Sequence, residues 1–137
     1  MSWAAQYIGR PWVAGAQGPQ AFDCWSFFRH VQARHFGVQV PVIVAADPSD
    51  PAALVALFAG HAERKRWQRA AAAVHGAAVI VRGPLHIGTW LALDGGGVLH
   101  CVRGAGVVFT KDAAWPCSGF GRRELFIFQP PPEPPAP

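Results

Sequence analysis

The chain has 137 residues, 51% of them hydrophobic and only 15% charged, a size and composition that suit one domain with a real core and exclude a disordered or strongly polyelectrolyte chain. Its formal net charge of +4 is mostly arginine, scattered except for Arg64-Lys65-Arg66; that cluster reads as a solvated helix face, and no basic stripe marks a nucleic-acid partner. Three cysteines, Cys24, Cys101 and Cys117, are an odd number without CxxC spacing, which argues against a disulfide framework or zinc knuckle and for free thiols in a reducing compartment.

Ser2 can cap a short helix through Ala4, Ala5 and Ile8, stopped by Gly9. A turn-rich stretch from Arg10 to Gln20 follows, with Pro11, Gly15, Gly18 and Pro19. Asp23 is a good N-cap, and Phe27, Phe28 and Val31 recur at helical spacing up to Gly37, so Cys24 is expected in the first turn of a helix. Gly37 to Val44 reads as an irregular connection. Asp50-Pro51 starts a second helix through Leu54, Val55, Leu57 and Phe58, with a possible break at Gly60 and a further helical piece from Ala62 to Gln68. Arg69 to Val74 fits either state. From Gly76 the pattern becomes short strands: Ala77 to Val81, Leu85 to Leu93, Val98 to Val102, Val107 to Thr110 and Leu125 to Phe128. The expected fold class is α+β, with N-terminal helices on an antiparallel sheet of about five strands. Residues 1–129 form a single domain, and 130–137 is a proline-rich exposed tail.

A thiol becomes a nucleophile as thiolate, and a helix start favours that form through its unpaired N–H groups and dipole. The same N–H groups can hold an oxyanion. Cys24 has this placement, and a base and an orienter are then needed nearby. His86 begins one expected strand and His100 ends the next. Alternation puts His86, Gly88 and Trp90 on one face, with Gly88 leaving room beside the site. A metal site from Cys24, His86, His100 and Cys101 is disfavoured because alternation turns Cys101 away from His100. His30, His35, His61 and His75 read as surface or packing residues, and no cofactor is called for.

The segments Tyr7-Ile8-Gly9-Arg10-Pro11-Trp12, Phe22-Asp23-Cys24-Trp25, Gly76-Ala77-Ala78-Val79, His86-Ile87-Gly88-Thr89-Trp90-Leu91 and Leu99-His100 resemble, in this order, the NlpC/P60 cysteine peptidases. The Pro-Trp start and Asp-Cys-Trp are most similar to the bacteriophage and prophage tail members. The resemblance implies a circularly permuted papain-like fold. It also implies hydrolysis of amide bonds in peptidoglycan stem peptides, commonly between D-glutamate and diaminopimelate. Cys24 then matches the nucleophile, His86 the base and His100 the third polar group. Trp12, Asp23 and Trp25 are candidates for substrate contact or the oxyanion site. Implied partners are peptidoglycan stem peptides and phage tail proteins. A catalytically silent tail assembly or binding module on the same fold is the alternative. No apolar run approaches bilayer-spanning length. Met1-Ser2-Trp3-Ala4 lacks the order of a secretory leader, so cytoplasmic synthesis, with a place in a virion tail, is the expected localisation.

The sequence departs from the family pattern at several points. Trp25-Ser26 stands where Ser-Gly is common after the cysteine, and Trp12 where a tyrosine is. Gly76-Ala77 replaces Gly-Asp, and Gly15-Ala16 replaces paired glycines. The hairpin register is open between two arrangements. A turn on Asp94-Gly95-Gly96-Gly97 sets His100 opposite Leu91, on the face away from His86 and about 17 Å of strand from it. A turn on Ala92-Leu93-Asp94, or a bulge among the glycines, sets the histidines opposite one another; the family resemblance favours this second register.

Overall fold

The computed structural model describes residues 2–40, 50–62 and 66–129. The end of the expected irregular link, the Arg64-Lys65 part of the basic cluster and the proline-rich tail lie outside them. Six strands, β1 (Trp67–Ala70), β2 (Ala78–Arg82), β3 (His86–Leu91), β4 (Gly97–Val102), β5 (Gly106–Lys111) and β6 (Arg122–Phe128), form one sheet in the order β1-β6-β2-β3-β4-β5. Every pairing is antiparallel. Helices α1 (Cys24–Phe36) and α2 (Pro51–Ala62) precede it in the chain. The α+β expectation holds, with one strand more than foreseen.

The extra strand is β1. Trp67 and Gln68 were expected in a helix, but Trp67 is buried and pairs with Phe128, ring centroids 5.4 Å apart. The local sequence is neutral, and the pairing with β6 decides the state. The Ser2-capped segment is a single 3-10 turn, Trp3–Gln6, and Gly60 does not interrupt α2.

Alternation along the strands separates two buried layers. On one face Ala78, Ile80, Ile87, Leu91, Leu99, Cys101 and Phe126 pack against Trp25, Phe27, Phe28 and Val31 of α1 and Phe58 of α2. On the other, Val79, Val81, Trp90 and Val98 pack under Trp115 and Phe120. Each fully buried Phe or Leu contributes about 1.5–3 kcal/mol of transfer free energy, so the first layer fixes the sheet against α1 and with it the start of that helix. Gln32, buried on α1, donates to the Gly76 carbonyl at 3.0 Å and to Thr89 Oγ1 at 3.2 Å, which locks the helix rotation over β3. The helix stops at Gly37 in the left-handed conformation, φ 67°. No helix among the described residues is long and apolar enough to cross a membrane.

Candidate active site

The start of α1 is held from three directions. Asp23 Oδ1 accepts from the Ser26 N–H at 2.8 Å, and Asp23 Oδ2 accepts from the Gly15 N–H at 3.1 Å. Ser26 Oγ accepts from the Asp23 N–H at 3.0 Å and donates to the Ala16 carbonyl at 2.5 Å. This is a capping box closed by serine instead of the usual Glu or Gln. It explains the serine two residues after Cys24: Ser26 ties the Gly15-Ala16 turn to the helix start. The Asp23 side chain is fully engaged as a cap, and the Trp25 ring packs on Phe28 and Phe58 in the core. Of the three candidates for substrate contact, only Trp12 borders the cavity beside Cys24.

That cavity is about 560 Å³ and lies at the end of the sheet. Cys24, Trp12, His86, Arg103 and Phe120 are among its walls. Cys24 belongs to the helix side of the sheet and His86 to the other side, and the two share this space because His86 is the first residue of β3. No hydrogen bond joins Cys24 Sγ to His86 among the described residues.

The hairpin register matches neither of the two arrangements foreseen. The five residues Ala92 to Gly96 connect the strands, and Leu91 pairs with Gly97, Trp90 with Val98 and Thr89 with Leu99. One step further along, His100 lies beside Gly88, on the same face as His86 but displaced diagonally. Such diagonal neighbours sit about 7–8 Å apart at their backbones, and the missing side chain at Gly88 lets His100 pack closely against β3 so that the two rings close that gap. His86 Nε2 and His100 Nδ1 are 2.8 Å apart, and His100 Nε2 lies 2.9 Å from Thr110 Oγ1. His86 Nδ1 makes no hydrogen bond to a described residue. Phe120 stacks on the His86 ring at 4.6 Å and 19°.

Burial dominates the electrostatics. The Cys24 thiol is pushed up to about 12, first by desolvation and then by the adjacent Asp23 carboxylate. The backbone N–H groups of Ile87, Trp25 and Cys24 pull the other way without prevailing. The thiolate-favouring influence expected of a helix start is therefore outweighed here. Burial lowers His86 to about 4 and, with the neighbouring His86, lowers His100 to about 3. At neutral pH the resting site holds a neutral thiol and two neutral imidazoles.

Cys101 is buried on the helix side and donates to the Phe22 carbonyl, sulfur to oxygen 3.4 Å. His30 and His35 both bond Tyr7 Oη, at 3.0 and 2.8 Å. Trp90 lies away from the cavity and donates to Asp112.

Sequence reasoning missed Phe120, Arg103 and Thr110. Phe120 sits in an irregular loop where no periodicity points to a ring. Arg103 begins the turn between β4 and β5 and stands over the Trp12 ring, 5.3 Å from its centre. Thr110 was legible in principle: the three-residue turn Arg103-Gly104-Ala105 sets Thr110 opposite Val98, on the His100 face.

No protein-family model and no curated protein matches the chain. Among solved structures, the NlpC/p60 domain of the peptidoglycan hydrolase SagA superposes with a TM-score of 0.53 at 22% identity, covering 89% of this chain and 91% of that one. The chain has the NlpC/P60 fold.

Proposed function

We propose that this protein is a cysteine peptidase or amidase that hydrolyses amide bonds in peptidoglycan stem peptides, with Cys24 as nucleophile and His86 as base. The observation that carries this reading is the His86–His100 bond of 2.8 Å, made through His86 Nε2 by a ring that lines the same cavity as a helix-start cysteine and whose Nδ1 bonds no described residue. The fold shared with a domain of a peptidoglycan hydrolase supports the substrate class. The likeness of Pro11-Trp12 and Asp23-Cys24-Trp25 to tail members supports a phage or prophage tail as the setting. On that reading the protein reaches the cell wall as part of a virion.

In the reaction, Cys24 Sγ attacks the scissile carbonyl as its proton passes to His86 Nδ1. Backbone N–H groups at the start of α1 hold the oxyanion. Collapse breaks the C–N bond, and His86 returns the proton to the departing amine. Water, deprotonated by His86, then attacks the thioester and releases the acid and the free thiol. Because thiol and imidazole rest neutral, proton transfer accompanies attack and does not precede it.

One observation favours the second reading, a silent tail module: the resting thiol makes no bond to His86 and is held near 12. Incubation with purified muropeptides, read by mass spectrometry, separates the two. Products that vanish in Cys24→Ala support the enzyme, and intact substrate after long incubation with the wild-type protein excludes it.

A further inference from the structure

The bond between His86 and His100 can run in either direction, and the two directions give opposite chemistry. His100 is fully buried, and both of its ring nitrogens are taken, Nδ1 by His86 and Nε2 by Thr110. A neutral His100 carries one ring proton, so the position of that proton sets the tautomer of His86. If it is on Nε2, His100 donates to Thr110 and accepts from His86 Nε2–H. His86 Nδ1 is then a bare lone pair, able to take a proton. If it is on Nδ1, His86 Nε2 accepts, and His86 Nδ1 carries a hydrogen and cannot act as base.

We propose that Thr110 is a positioning residue: its hydroxyl accepts the His100 Nε2–H and thereby fixes both histidines in the tautomers that leave His86 Nδ1 as a lone pair facing the cavity. Thr110 lies on the edge strand β5 and is half-buried, so its own hydroxyl hydrogen can go to water while its lone pair faces His100. Without an acceptor at that place, the Nε2–H of a fully buried ring is orphaned, and such donors are rarely left unpaired. The ring then moves its proton to Nδ1, and the base is lost through two rings. The same polarity is kept through the reaction, since a protonated His86 also needs His100 Nδ1 as an acceptor.

This inference rests on His86 being the base, and its test reads tautomers without any substrate. The full chain, labelled with ¹⁵N at histidine, is examined at neutral pH by NMR, where ring-nitrogen shifts separate an N–H from a lone-pair nitrogen. The wild-type protein is expected to show the proton on Nε2 of both His86 and His100. Thr110→Val, which keeps the β-branched shape, is expected to move both protons to Nδ1 and to lower muropeptide turnover about tenfold, the scale of one lost hydrogen bond in a buried chain. Thr110→Ser restores the hydroxyl and is expected to restore both readouts. A wild-type His86 carrying its proton on Nδ1 overturns the proposal whether or not the variants fold. Unchanged tautomers in folded Thr110→Val overturn it as well. Tautomers that shift as expected in a protein that cleaves no muropeptide overturn the hydrolase reading and leave the role of Thr110 intact.

Discussion

Gly88→Ala is the substitution that most directly tests how the two histidines meet. A Cβ at this position would lie 2.7 Å from Val98 Cγ1, 2.9 Å from His100 Cβ and 3.1 Å from the Leu99 carbonyl oxygen. Ordinary carbon contacts are about 3.5–4.0 Å, so each neighbour has to retreat by several tenths of an ångström. None can do so by turning a flexible side-chain end. Val98 is fully buried and stiff at χ1, and the other two atoms are backbone or attached directly to it. Inserting one methyl into such a place costs about 1–3 kcal/mol. For a domain of this size that corresponds to a fall in Tm of roughly 3–15 °C. The displacement also pushes His100 from β3, so the His86–His100 bond lengthens and, on the proposed hydrolase reading, turnover falls with it. Thermal melts followed by circular dichroism, with histidine NMR on the same sample, measure both effects. A Tm within a degree of wild type together with an intact ring-to-ring bond would refute the packing argument.

On the proposed hydrolase reading, Cys24→Ala and His86→Ala should each abolish hydrolysis, because a nucleophile and its base act as one unit, while His100→Ala should leave a residual rate; product mass spectrometry on muropeptides checks the order. Iodoacetamide labelling of Cys24 should be slow at neutral pH and rise steadily above pH 9, because burial and Asp23 hold the thiol near 12. Asp23→Asn keeps an oxygen for the Ser26 N–H, loses the acceptor of the Gly15 N–H and removes the charge, so it should shift that labelling profile to lower pH; an unchanged profile would remove Asp23 as a cause. Stability should fall in acid. His86 and His100 stay neutral in the fold down to about 4 and 3, whereas in the unfolded chain they protonate near 6.5. Between those values the unfolded state binds more protons, so stability is full above pH 6.5 and declines below it by about 1.4 kcal/mol per pH unit for each ring. Urea melts at pH 7, 6 and 5 measure this slope, and a flat profile would contradict it.

The parts of the fold that could be read from the sequence are those in which local pattern and tertiary demand agree. Asp23 before Phe27, Phe28 and Val31 marks the start of α1 because cap and apolar stripe coincide. Strands β2 to β5 announce themselves by β-branched residues between glycines, and β6 by the apolar run Leu125-Phe126-Ile127-Phe128. Trp67–Ala70 is different: nothing local prefers a strand, and only the open edge of β6 makes it one. Turn chemistry failed at Asp94-Gly95-Gly96 because a long glycine run admits several registers. The choice was made by packing, with Trp90 set over Gly96 and Val98 over Gly88. The candidate site divides in the same way. Cys24, His86 and His100 stand out as residue types at suggestive places. Phe120, Arg103 and Thr110 become visible only once the loops and the β4–β5 register are known.

The electrostatics of the resting site bear directly on the choice between an enzyme and a silent module. Burial raises the Cys24 thiol and lowers the His86 imidazole, so a proton passed from sulfur to ring before attack runs uphill and leaves two charges in a desolvated place. Bringing the charged His86 ring and the sulfur to about 4 Å at an effective dielectric of about 20 returns about 4 kcal/mol. Placing the new charge on a substrate oxygen held by the N–H groups of α1 avoids the free thiolate altogether. Attack concerted with proton transfer is therefore the route these residues favour for catalysis. It requires His86 Nδ1 to come within hydrogen-bond reach of Cys24 Sγ when substrate fills the cavity. Phe120, stacked on the His86 ring at the cavity wall, is the contact that such a movement would alter.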